Sequence, residues 1–146
     1  MKKILFVIIL LFTGCSIKNA LKQDPLYNKT LTYTQRGQII NSLETKALID
    51  AVYLNPIYKN KFKNPTFLIG VYNNFKNSIN NAEYNLTLNN KSPIKISKQI
   101  PSFIIYKNYP FYNEWMQYYI VEFNKTSKPY ILEYKSKYYG KVKFTF

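Results

Sequence analysis

Histidine and cysteine supply most of the nucleophilic, soft-metal and near-neutral acid–base chemistry available to a protein. This chain of 146 residues has no histidine and one cysteine, Cys15. Ser-His-Asp and Cys-His catalysis and the usual soft-metal ligand sets are thereby excluded, and neither a cofactor nor a metal site is expected. The carboxylates are Asp24, Glu44, Asp50, Glu83, Glu114, Glu122 and Glu133. Two of them flanking one glycosidic bond could hydrolyse it, and Glu114 with Glu122 or Glu133 is the pair to consider. Seven acids among 21 cations read more simply as surface counter-charges. Four glycines leave no material for a phosphate-cradling loop. The expectation is a protein that is not an enzyme.

Binding chemistry is better represented. Aromatic side chains crowd into residues 106–119, among them Tyr106, Tyr109, Phe111, Tyr112 and Trp115 around Pro110. Tyrosine and tryptophan dominate binding hot spots, so these five are the candidate partner-binding residues. The alternative is that they close the core and one rim of the fold. Asn85 in Glu83-Tyr84-Asn85-Leu86-Thr87 and Asn124 in Glu122-Phe123-Asn124-Lys125-Thr126 form sequons with an acid two places earlier. That pattern resembles the extended acceptor of bacterial N-glycosylation systems, with Asn124 the better placed because it opens a turn.

The first residues form a different kind of site. Met1-Lys2-Lys3 precedes an unbroken apolar run from Ile4 to Phe12, and Phe12-Thr13-Gly14-Cys15 follows. Cations, a short apolar stretch and small residues are the parts of a secretory signal, and the run is too short for a bilayer-spanning helix of about 20 residues. The last four residues resemble the lipobox of bacterial lipoproteins, although Phe12 stands where that family usually has leucine. The resemblance implies cleavage before Cys15, diacylation of that cysteine as the mature N-terminus, and a chain held stably on a membrane by several acyl chains. It also gives the sole cysteine a use, where an exported protein would otherwise carry an unpaired thiol in an oxidising compartment. Ser16 stands where an enteric-type lipoprotein retained in the inner membrane has aspartate, which implies an outer-membrane address facing the periplasm.

Net charge is +14, about +12 without Lys2 and Lys3. Such a balance often marks nucleic-acid binding. Here Arg36 is the only arginine, and base and bidentate phosphate readers lean on arginine. No nucleic-acid partner is expected. An exported basic protein meets anionic headgroups, lipopolysaccharide or peptidoglycan, or it simply carries solvated lysines of the kind an AT-rich coding sequence produces.

Several elements must position these residues. Residues 1–14 read as the signal, 15–30 as a lipidated tether containing Pro25, and 31–146 as one domain. Thr32 with Gln35 resembles a capping box, and Ile40, Leu43, Ala47, Ala51 and Leu54 follow at helical spacings up to Asn55-Pro56. The spacing predicts an amphipathic helix over this stretch. Beyond it the period becomes two. Strands are predicted at Phe67–Tyr72 (central), Tyr84–Leu88, Ile94–Ile96, Phe103–Tyr106, Trp115–Phe123, Tyr130–Tyr134 and Gly140–Phe146. The expected fold is mainly β, with one N-terminal helix packed on an antiparallel sandwich of about seven strands.

The function expected is that of a lipid-anchored, non-catalytic envelope protein that binds or scaffolds an envelope protein or an anionic envelope polymer. Two alternatives stand beside it. One is a small integral β-barrel, suggested by the terminal Phe146 after an alternating strand. The other is a cell-wall hydrolase using the paired carboxylates.

Overall fold

The computed structural model describes residues 24–75, 78–109 and 111–146. Cys15, the signal segment and the tether as far as Gln23 lie outside those residues.

Helix α1 (Pro25–Thr32) starts where the sequence dictates. Asp24 caps it by accepting from the Leu26 amide at 2.9 Å, and Pro25 occupies the first turn, where its missing N–H costs nothing. Thr30 is buried, so residues read as tether are already part of the folded domain.

The helix expected over residues 33–54 is corrected by the structure. Strands β1 (Thr34–Asn41) and β2 (Glu44–Tyr53) form an antiparallel hairpin there, joined by the two-residue turn Ser42-Leu43. From Ala47 to Tyr53 almost every residue of β2 is buried, because both faces of the strand are covered. Two-sided burial erases the alternation that betrays a half-exposed strand, and the remaining apolar run fits a helical period as readily as any other. A short helix, α2 (Leu54–Ile57), follows β2.

The other strands are β3 (Thr66–Asn73), β4 (Tyr84–Leu88), β5 (Lys95–Ser97), β6 (Gln117–Glu122), β7 (Ile131–Ser136) and β8 (Gly140–Thr145). Six of the seven expected strands are present, and the new hairpin raises the number to eight among the described residues. The expected strand at Phe103–Tyr106 is absent. Ile104 turns inward there, and the chain goes on into a single 3-10 turn at Tyr106–Asn108.

All pairings are antiparallel. One sheet has the order β1-β2-β3-β6-β5, with β3 at its centre as expected, and the other has the order β4-β7-β8. These are two sheets, not the single closed ring that a barrel requires. Their facing sides share one core, which includes Ile49, Phe67, Ile69 and Val121 from the larger sheet and Tyr84, Leu86, Leu132, Tyr134 and Phe144 from the smaller. Gly37 lets β1 lie close against β8, since a Cβ on it would come within 2.4 Å of Val142 Cγ2. A second core lies on the opposite face of the larger sheet, where Val52, Leu54, Ile57, Leu68 and Ile104 cluster with Leu26 and several tyrosines. The fold therefore has three layers: small sheet, large sheet, and a cover made of α1, α2 and the irregular segments 98–109 and 111–116.

Candidate functional site

The five candidate aromatic residues lie on or beside this cover, and the structure divides them. Tyr106, Tyr109, Phe111 and Tyr112 are half-buried against the outer face of the larger sheet. Tyr112 stacks on Tyr118 of β6 with ring centres 5.5 Å apart, and Tyr106 meets both rings at 5.6 and 5.3 Å. The Tyr109 and Tyr58 hydroxyls share a hydrogen bond of 2.9 Å. Burial pushes the Tyr109 phenol above the ordinary tyrosine range, and this hydrogen bond pushes it the same way.

Beneath this canopy lies an ion pair. Arg36 and Asp50 face each other across β1 and β2. Arg36 Nε and Nη2 donate to the two carboxylate oxygens at 2.6 and 2.7 Å. Burial pushes the Asp50 carboxyl up, and the hydrogen bonds and charge of Arg36 pull it part of the way back. The guanidinium is held still more firmly protonated by Asp50. The space left among Asp50, Gly70, Phe111, Tyr112 and Tyr118 is only about 10 Å³. That is scarcely room for one water molecule, so the Asp50 side of the pair is closed off while the Arg36 side still meets solvent.

Trp115 behaves differently. It remains 51% exposed and meets Tyr72 edge to face, with ring centres 5.4 Å apart. The two rings wall an open groove of about 440 Å³ whose other sides are Gln38, Thr45 and Leu48. Just beyond it the β1–β2 turn presents Ile40 at the strand end and Leu43, which is fully exposed. Aromatic walls with an amide and a hydroxyl at the rim make a surface able to grip an apolar group and orient it by hydrogen bonds. Trp115 was legible as a candidate. Its partners Tyr72 and Gln38 were not, because they come from strands far apart in sequence.

The carboxylates are not brought together. Glu114 is exposed before β6, while Glu122 ends that strand and accepts from Asn64 Nδ2 at 2.6 Å. Trp115, next to Glu114, packs on Tyr72, whereas Glu122 pairs with Thr66, six residues or roughly 20 Å back along β3, well beyond the ~9.5 Å limit for paired glycosidase carboxylates. Glu133 lies on β7, on the side of the small sheet away from the core, bridged by Lys141 at 3.2 Å and Lys143 at 3.3 Å. Glu122 points out of the opposite layer, beside Ile120 and Phe62. Among the described residues no group of three or more acids, cysteines or histidines could hold a metal ion.

Both sequons are accessible. Asn85 is exposed on β4, and Asn124 is exposed in the irregular connection between β6 and β7.

No protein-family model, curated protein or solved structure matches the chain.

Proposed function

We propose that the chain is a lipid-anchored, non-catalytic protein of the bacterial cell envelope that binds another envelope component at the groove walled by Trp115 and Tyr72. The lipobox-like Phe12-Thr13-Gly14-Cys15 supports the anchor, with the outer membrane, periplasmic side, as its address. The observation that carries the binding role is the groove itself: the chain's one tryptophan, half exposed, stands against a second ring at the open end of the large sheet. Its position suits an anchored protein. Strand β1 leaves α1 at Thr34 and reaches Asn41 roughly 23 Å further on, so the groove sits toward the end remote from the tether. Partner classes that fit are an envelope protein and an anionic polymer such as peptidoglycan or lipopolysaccharide.

Two measurements test this. Clickable palmitate should label the wild type and leave Cys15→Ala unlabelled; equal labelling overturns the anchor. A photocrosslinker placed at Gln38 should give a discrete adduct in cells that disappears with Trp115→Ala, while one at Asn85 should not. Identical adducts from both positions overturn the groove.

A further inference from the structure

The end of the domain nearest the tether has a composition of its own. The loop from α2 to β3 reads Lys59-Asn60-Lys61-Phe62-Lys63, and all three lysines are exposed. Phe103, itself largely exposed, leans on Tyr58 and Phe62 with ring centres 5.5 and 6.1 Å apart, and Lys61 Nζ lies 5.7 Å above its ring. Helix α1 adjoins this loop through Lys29, whose ammonium donates to the Ile57 carbonyl at 3.3 Å. Leu26 and Thr30 face inward on α1, which leaves Tyr27 and Leu31, one turn apart, as an exposed apolar stripe. The side-chain acids at this end are engaged: Asp24 caps α1, and Glu122 holds the Asn64 amide.

We infer that this face, made of Tyr27, Leu31, Lys59, Lys61, Lys63 and Phe103, rests on an anionic lipid surface and fixes the orientation of the domain on its membrane. The inference rests on the anchored reading. Residues 16–23 are all that separate Cys15 from Asp24, and eight residues at full extension reach about 28 Å. Lipid on Cys15 therefore keeps α1 within a domain's width of the headgroups. Lysines attracted to anionic headgroups, with aromatic and leucine side chains between them, are the chemistry of interfacial binding. Each lysine close to such a surface contributes enough that reversing three lowers partitioning about a hundredfold or more.

The test uses the full chain, purified with its lipid and reconstituted into vesicles of phosphatidylcholine with or without phosphatidylglycerol. The acyl chains are brominated so that they quench any tryptophan they meet. Trp115 of the wild type reports on the remote end, and Tyr27→Trp combined with Trp115→Phe reports on the proposed face. The expected result is quenching and a blue shift at position 27 on phosphatidylglycerol vesicles, reversed by salt and by Lys59→Glu/Lys61→Glu/Lys63→Glu, with little quenching of Trp115. Stronger quenching of Trp115 than of position 27, or quenching at 27 that ignores vesicle charge, overturns the inference. Mass measurement of the purified chain decides the anchor separately. If Cys15 carries no lipid, the anchored reading fails. The face is then judged by salt-sensitive cosedimentation of the same chain with phosphatidylglycerol vesicles: its presence, lost in the triple variant, supports the face, and its absence refutes it.

Discussion

The guanidinium of Arg36 clasps Asp50 through two hydrogen bonds while its central carbon lies 4.7 Å from the centre of the Phe111 ring and Nη2 donates to the Phe111 carbonyl at 3.1 Å. One side chain thus joins β1, β2 and the cover. The Asp50 side chain is only 4% exposed and that of Arg36 is 38%, so removing the arginine strands a charge in a dry place. Arg36→Met should cost about 3 kcal/mol, near the lower end for a broken buried pair because water still reaches one side of the guanidinium. Adding Asp50→Leu should restore much of that loss. Urea unfolding of the single and double variants measures both, and a double variant weaker than Arg36→Met would contradict the account.

The β1–β2 turn predicts a gain in stability. Ser42 and Leu43 have φ of 50° and 66°, and the Leu43 side chain is wholly in solvent. A two-residue turn with both φ angles positive favours Asn-Gly, and a bulky residue there is strained. Ser42→Asn with Leu43→Gly should stabilise the fold by about 1 kcal/mol, read as a higher urea midpoint at unchanged slope.

Alkaline pH should unfold the protein through its buried phenols. Burial pushes Tyr118 up to about 12, and burial pushes Tyr53, Tyr109 and Tyr134 above the ordinary tyrosine range. The folded state therefore holds these protons more tightly than the unfolded chain, whose tyrosines titrate near about 10. Their contribution to stability is complete below that pH and is lost as pH rises from about 10 through 12. Tyrosinate absorbance of the native protein should lag behind that of the guanidinium-unfolded chain and then jump as circular dichroism reports unfolding. Coincident titration curves would refute this.

Trp115 and Tyr109 should respond in opposite ways. Trp115→Ala removes a half-exposed ring, so stability should change by less than about 1 kcal/mol while function in a deletion strain falls, as for an interface anchor worth about 2 kcal/mol. Tyr109→Ala opens the canopy and deletes the hydrogen bond to Tyr58, at a cost of about 2 kcal/mol in stability. Glu114→Gln should leave function intact. Complementation at matched protein level, beside thermal melts, separates the three.

How much of this was legible depends on which faces of a strand are covered. Tyr84–Leu88 alternates buried with exposed or half-buried residues because β4 has one face in solvent, and its period of two was plain. β2 has a partner layer on each side, so Ala47, Ile49 and Ala51 point into one core while Val52 joins the other, and the residues between them also read as apolar. Gly37 was the local warning, since an interior glycine weakens a helix and suits a strand approached closely by another. The Ser42-Leu43 turn offered no Asn-Gly signal to set against the helical spacing. Of the site, Trp115 stood out by composition. The Tyr72 ring and the Arg36–Asp50 pair could not stand out, because each exists only through strand register.

The small sheet has a consequence for the order in which the molecule can be made. Among the described residues β4 pairs only with β7, so Tyr84 waits for Ser136, and the strands that follow also carry Leu132, Tyr134 and Phe144 into the shared core. β1, β2 and β3 form a local meander that can assemble early, yet while the chain is emerging it bares two greasy sides at once. The C-terminal hairpin is thus the last piece of a lid over the first half of the chain. Until it arrives, the inner face of that meander has nothing to cover it, and a chain shortened to residue 139, which lacks β8 and Phe144, should aggregate instead of folding.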